Sequence, residues 1–90
     1  MAPRITLNLT DVGELEIWIN EEGRDLLVQK LEALGETSEH FHLGAFGDAE
    51  VKVRANAYRP TDEIINSAKV LFRTDEWDRR YYSHVLDRKD

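Results

Sequence analysis

Hydrophobic and polar residues alternate in two short stretches near the start of the chain. Residues 5–10 and 14–19 both alternate with a period of two, which is typical of strands that bury one face. Residues 11–13 between them form a short turn, where a glycine can adopt a positive φ. The pattern predicts a β-hairpin. In the second strand the residues expected to face the core are Leu15, Ile17 and Ile19.

The pattern then changes to a helical period over residues 21–34. Leucines recur there on one face of an amphipathic helix, namely Leu26, Leu27, Leu31 and Leu34. Asn20 precedes this stretch and is a favoured N-cap residue. Gly35 follows it and is expected to end the helix in the left-handed conformation.

Two further alternating stretches predict a third and a fourth strand. Residues 40–43 resume the alternation, residues 44–48 contain two glycines and form a turn, and residues 50–58 alternate again. Pro60 ends the fourth strand, because proline cannot donate a hydrogen bond to a strand ladder.

Beyond Pro60 the period becomes helical once more. Thr61 or Asp62 can cap a helix with five apolar residues on one face: Ile64, Ile65, Ala68, Leu71 and Phe72. Thr74 or Asp75 can cap a last helix that begins at Glu76. The second half of the chain therefore ends in one or two helices.

These elements predict an α+β fold, with a four-stranded, mainly antiparallel sheet of ββαββ order. One amphipathic helix packs on one face, and one or two C-terminal helices follow. The sheet order is either 2-1-3-4, which we favour, or one in which the second strand lies parallel to the third and the helix is a right-handed crossover. Ninety residues suffice for one domain, over residues 1–90.

Charge and composition narrow the classes of function. The net charge is −6, and residues 1–50 contain eleven acidic and three basic residues, a net of −8. This acidity argues against nucleic-acid binding and fits a protein partner with a basic surface. The chain has no cysteine, no apolar leader and no apolar run of membrane-spanning length, so we expect no membrane association and a cytoplasmic protein. A homodimer is a common remedy for a core this small.

The polar face of the predicted sheet is the candidate interaction surface. Alternation places one set of residues on the core face: Ile5, Leu7, Leu15, Ile17, Phe41, Leu43, Val51 and Val53. The opposite face receives Thr6, Asn8, Glu14, Glu16, Trp18, His40, His42, Lys52, Arg54, Asn56 and Tyr58. Aromatic and arginine side chains dominate binding hot spots. The predicted partner-binding residues are Trp18, Glu16, His42, Arg54 and Tyr58. The alternative is that the C-terminal helices cover this face.

Catalytic chemistry finds no support in the sequence. No nucleophile motif, phosphate-binding glycine loop or paired acid and base is present, so we predict a non-enzymatic protein without a cofactor. His40 and His42 point to the same side of a strand and are a candidate pair of metal ligands, although no third ligand follows at a fixed spacing. The rival hypotheses are a small metal- or ligand-binding protein or enzyme that uses His40 and His42, and a structural homodimer subunit.

Residues 14–57 resemble small bacterial immunity proteins of polymorphic toxin systems. The resemblance consists of a strand, a leucine-rich helix with Asp25-Leu26-Leu27 and Leu31, and a His-x-His-Leu strand at residues 40–43. It implies a cytosolic protein that binds and blocks a toxin domain without chemistry of its own. The acidity of the chain fits that implication, because many toxins of this kind are basic nucleases.

Overall fold

The computed structural model of the chain, which describes residues 2–86, has an α+β fold with two three-stranded sheets and two α-helices. One sheet has the order β2-β1-β5 and the other β4-β3-β6. Neither α-helix is long and apolar enough to cross a bilayer. The elements are β1 (Ile5–Leu9), β2 (Leu15–Ile19), α1 (Glu21–Glu32), β3 (His40–Gly44), β4 (Val51–Lys52), β5 (Glu63–Ile64), β6 (Ser67–Leu71) and α2 (Asp75–Tyr81), followed by a 3₁₀ turn (Ser83–Val85).

The predicted hairpin and the helix after Asn20 are confirmed, but Leu31 of the predicted leucine face is 51% exposed. β1 and β2 pair antiparallel, and Gly13 adopts a φ of +87° in the turn between them. The Asn20 side chain accepts a hydrogen bond from the Gly23 N–H at 2.8 Å and so caps α1. The prediction for Gly35 is wrong, because the helix already ends at Ala33 in a right-handed conformation and the φ of Gly35 is not positive.

The second predicted hairpin is wrong, although its first strand is confirmed as β3. β4 is only two residues long and runs parallel to β3, with Leu43 opposite Val51. A parallel pair normally needs a long crossover, whereas here only residues 45–50 connect the strands. Burial explains the arrangement: Val51 and Val53 are both buried in the core, which favours bringing this short segment back alongside β3.

The helix predicted over residues 62–72 is also wrong, since this stretch forms β5 and β6. β5 pairs antiparallel with β1, and β6 pairs antiparallel with β3. The Ile65 N–H donates to the Leu7 carbonyl at 2.9 Å. The apolar spacing in this segment fits a helix, but strand pairing satisfies the free edges of β1 and β3, and Ile64, Ile65 and Val70 are β-branched residues that favour strands.

Neither predicted sheet order is found, because the chain passes between the two sheets. Val53 donates its N–H to the Gly44 carbonyl of β3, and the next residue, Arg54, donates to the Ile5 carbonyl of β1 at 2.7 Å. The predicted fourth strand therefore stops at Lys52 and does not extend to residue 58. The core consists of six buried side chains from β1, β3 and the β4 segment: Ile5, Leu7, Phe41, Leu43, Val51 and Val53.

β2 lies at the edge of this core, which corrects a further prediction. Leu15 and Ile17 are both 55% exposed and Ile19 is 43% exposed, although alternation had placed all three on the core face. The partly buried residues Leu26 and Leu27 of α1, and Leu34 just after it, pack against the core formed by β1, β3 and β4. The edge strand is left largely uncovered by this packing.

We predict that Gly23→Ala destabilises the protein by about 1–3 kcal/mol, even though alanine normally favours a helix over glycine. A Cβ atom at Gly23 would lie 2.6 Å from the Arg4 carbonyl oxygen, which belongs to the backbone and cannot move aside cheaply. Urea denaturation measures the change. Gly35→Ala is the matched control, because a Cβ atom there meets nothing within 4 Å. A stabilised Gly23→Ala variant would contradict the observed approach of α1 to residue 4.

Candidate protein-binding surface

The surface is built on a buried asparagine in the central strand of the first sheet. Asn8 of β1 is fully buried, and its side-chain nitrogen donates to Glu16 at 3.1 Å and to Asp62 at 2.7 Å. Its side-chain oxygen accepts the backbone N–H of Tyr58 at 3.1 Å. One amide therefore joins β2 and the residues on both sides of Pro60. We refer to the Asn8 cluster, which comprises Asn8, Glu16, Trp18, Tyr58, Arg59 and Asp62.

Arg59 forms ion pairs with both carboxylates of the cluster. Its guanidinium donates to the two oxygens of Glu16 at 2.9 and 3.3 Å and to Asp62 at 2.8 Å. The Asp62 side chain is almost fully buried, while that of Glu16 is partly exposed. Bidentate pairing of this kind fixes the planes of both groups, so the position of Arg59 is well determined.

Trp18 and Tyr58 form the exposed aromatic part of the cluster. Their rings stack with centroids 4.0 Å apart and an angle of 13° between the planes. The Trp18 indole N–H donates to Glu16 at 3.0 Å, and the Arg59 guanidinium lies 5.8 Å from the centroid of the Trp18 ring. Trp18 is 37% exposed and Tyr58 is 44% exposed. The result is an aromatic surface that is held in place from beneath and open to solvent above.

The hydrogen bonds also determine the charge of the cluster. Hydrogen bonds from Arg59, Trp18 and Asn8 lower the pKa of Glu16 below its ordinary value of 4.5. Hydrogen bonds from Asn8 and then Arg59 lower the pKa of Asp62 below 3.8. Both carboxylates are therefore ionised at neutral pH and paired with Arg59. A general acid needs the opposite shift, a raised pKa.

The outer face of β1 is covered by the segment before β5, and not by the C-terminal helices considered from the sequence. Thr6 and Asn8 were expected to be exposed, yet both are buried. Residues 54–62 lie over them, as the bonds from Asn8 to Tyr58 and Asp62 demonstrate. Within residues 2–86, the alternative that C-terminal helices bury Trp18 and Tyr58 is therefore wrong. This loop presents Tyr58 to the stack from above the sheet.

Four of the five predicted binding residues lie on one side of the molecule. Trp18, Glu16 and Tyr58 belong to the Asn8 cluster, and Arg54 lines a shallow cleft beside Tyr58. His42 lies apart from them on β3 of the second sheet, where its ring nitrogen Nδ1 is 3.3 Å from Glu50. The sequence prediction placed His42 on the same face as the other four residues because it assumed a single sheet.

The side chains of His40 and His42 lie next to each other on β3. The rings of His40 and His42 meet edge to face with centroids 5.0 Å apart. The His42 backbone N–H donates to Glu50, and this bond is the main cause of a lowered Glu50 pKa. Across residues 2–86, no three His, Asp or Glu side chains are grouped in a way that could hold a metal ion.

Three members of the Asn8 cluster were not identified from the sequence: Asn8, Arg59 and Asp62. Their partners are far apart along the chain, since Asn8 bonds to residues 50 and 54 positions away. One local signal existed. An asparagine in the middle of an alternating strand is unusual, because this residue is depleted in strands, and it marks a position where a specific hydrogen bond is needed.

We predict that Asn8→Ala lowers the free energy of unfolding by about 2–3 kcal/mol, because two carboxylates and one backbone N–H lose a buried partner. Asn8→Asp is expected to be worse at neutral pH, since it places a third carboxylate against Glu16 and Asp62. Urea denaturation at pH 7 measures both. Asn56→Ala removes an exposed asparagine and serves as the control, expected within about 0.5 kcal/mol of wild type. Equal effects at positions 8 and 56 would contradict the structural role of Asn8.

We predict a stability difference between wild type and Glu16→Gln that depends on pH. The folded-state pKa of Glu16 is lowered, so its contribution is fully present above the ordinary value of 4.5 and is lost as the pH falls through the lowered pKa. The variant should be less stable than wild type at pH 7, and the two should converge in strong acid. Thermal melts from pH 7 to about pH 2 test this. Glu14→Gln, outside the cluster, should track wild type; a constant gap for Glu16→Gln would contradict the assignment.

The role of this surface is inferred from its own residues. The ring stack, the bound arginine and the ion pairs resemble the composition of a binding hot spot, in which aromatic and arginine side chains are positioned in advance. In comparisons with protein-family models, with curated proteins and with solved structures, nothing significantly matches this chain.

Proposed function

We propose that this chain is a non-enzymatic protein-interaction module of the immunity type, which binds a toxin domain and blocks it. The observation on which the proposal rests is the stack of Trp18 on Tyr58, with Arg59 beside it and Asn8 beneath. A partner that covers these two rings gains aromatic contact without ordering flexible side chains, because hydrogen bonds within the free protein already hold them.

The charge of the chain supports a basic partner. Eleven acidic and three basic residues lie in residues 1–50, and the net charge of the whole chain is −6. Such a charge accelerates the encounter with a positively charged domain through long-range attraction. The resemblance of residues 14–57 to immunity proteins is the reason for choosing a toxin as that domain. Arg54, beside Tyr58, offers a counter-charge for an acidic side chain of the partner.

We predict that Trp18→Ala weakens partner binding by about 2 kcal/mol, roughly thirtyfold in Kd, as expected for a central aromatic hot spot. The test isolates partners of the tagged chain from its native host by crosslinking and then measures Kd with the purified partner. Trp77→Ala is the matched control, since it removes the other tryptophan, which lies at α2 beside Arg73.

The immunity role is tested by whether the chain inhibits its partner, separately from binding. The purified partner should be toxic when expressed alone, and an equimolar amount of wild-type chain should suppress its activity. A partner that binds through Trp18 but is not inhibited would refute the immunity role and leave the interaction module. If Trp18→Ala binds as tightly as wild type, the aromatic surface itself is excluded as the binding site.

A further inference from the structure

The outer edge of β2 is free in the part of the chain that the structure describes. β2 is the terminal strand of its sheet, with β1 on one side only. The Asn20 N–H just beyond β2 donates to the Arg4 carbonyl, which places residues 4 and 20 in a hydrogen-bonded pair. Such pairs alternate along an antiparallel ladder. The backbone groups that point away from β1 are therefore those of Leu15, Ile17 and Ile19.

The same three residues expose their apolar side chains. About half of the surface of each is accessible, and α1, which contacts β2, exposes Val28 and Leu31 as well. Natural edge strands are usually protected by lysine, proline or a bulge, and β2 contains no lysine or proline and pairs with β1 without a bulge. Its two remaining side chains, Glu16 and Trp18, are held within the Asn8 cluster. β2 thus combines a free backbone edge with an exposed apolar face.

The chain also exposes more surface than a compact monomer of its mass. A compact monomer of 10.5 kDa is expected to expose roughly 5400 Å², whereas this chain exposes 6696 Å². The excess is larger than the roughly 800 Å² that each partner buries in a standard interface. The radius of gyration of 15.4 Å likewise exceeds the roughly 12 Å expected for ninety residues.

We infer that β2 pairs with β2 of a second copy of this chain, antiparallel, across a two-fold axis at Ile17. Each Leu15 then lies opposite Ile19 of the other copy, and each Glu16 lies opposite Trp18. All outward N–H and C=O groups of the three apolar residues are paired in this register. The β2-β1-β5 sheets of the two copies become one continuous six-stranded sheet.

Charge and strand pairing together select this register over its neighbours. A two-fold axis at Glu16 would place the two Glu16 carboxylates directly opposite each other, which is unfavourable. An axis at Trp18 would leave Leu15 without a partner. With the axis at Ile17, no like charges are opposed within the strand, and Glu14 falls opposite the neutral Asn20. The strand is therefore complementary to itself in one arrangement, as an isologous interface requires.

The dimer extends the proposed function without depending on it. Trp18 and Tyr58 lie on the sheet face opposite to Leu15, Ile17 and Ile19, so pairing leaves both aromatic stacks available on the same face of the joined sheet. Assembly is measured on the protein alone, so failure of the dimer and failure of partner binding are separate outcomes.

Sedimentation equilibrium over a range of concentrations tests the dimer. Wild type should approach twice 10.5 kDa. Ile17→Lys and Ile17→Glu should each raise the Kd of the dimer at least about tenfold. Residue 17 lies opposite residue 17 of the other copy, so each variant places two like charges together. An equimolar mixture of the two should recover the dimer. Val12→Lys, which alters an exposed residue of the hairpin turn outside β2, should behave as wild type.

A cysteine variant gives an independent readout in this cysteine-free chain. Ile17→Cys should form a disulfide-linked dimer under mild oxidation, and Val12→Cys should not, because only position 17 brings two Cα atoms within disulfide range. Wild type that stays at 10.5 kDa, a dimer that survives Ile17→Lys, or a mixture of charge variants that remains monomeric would each overturn the proposal. Capture of a foreign strand by monomeric wild type would assign the edge to another protein.

Discussion

The hydrogen bonds of the buried Asn8 amide are the constraint on which the Trp18–Tyr58 surface of this protein depends. A buried polar group is stable only when its partners are supplied, and Asn8 is fully buried. Its donors are used by Glu16 of β2 and Asp62, and its acceptor by the backbone of Tyr58. The segment between β4 and β5 is thereby held against β1, although it contains little regular structure of its own.

The aromatic surface follows from that constraint. Once Tyr58 and Arg59 are held over β1, the Tyr58 ring lies on Trp18 and the guanidinium reaches both Glu16 and Asp62. Hydrogen bonds and ion pairs link Asn8, Glu16, Trp18, Arg59 and Asp62, and none of the buried side-chain polar atoms of residues 2–86 lacks a partner. Such networks are most stable when complete, so the surface is expected to act as a single rigid unit.

The small size of the core affects β2, the edge strand of the first sheet. Six buried hydrophobic residues come from β1, β3 and the β4 segment, and Leu26, Leu27 and Leu34 pack against them. The remaining apolar strand, β2, is left without cover, so the apolar residues that its sequence pattern assigns to a core are exposed. The proposed pairing of β2 with a second copy of the chain would bury these residues.

The sequence alone determined the elements that local periodicity and capping decide. The β1–β2 hairpin and the helix after Asn20 depend on contacts between near neighbours, and both are present. The strand at β3 follows from its local alternation, although its partner β6 is distant in the sequence. The six core residues also follow from alternation, because strand parity is fixed by the pleat. Trp18 and Tyr58 could be chosen because large aromatic residues on a polar face are chemically unusual wherever that face lies.

The tertiary structure decided everything that depends on pairing between distant segments. The residues 62–72 have a spacing compatible with a helix, and only the unpaired edges of β1 and β3 make strands of them. The parallel pairing of β4 and the burial of Asn8 have the same origin, since the partners lie in other elements. Local preferences amount to fractions of a kcal/mol per residue, whereas burial and hydrogen bonding of a whole segment amount to several, so the distant contacts prevail.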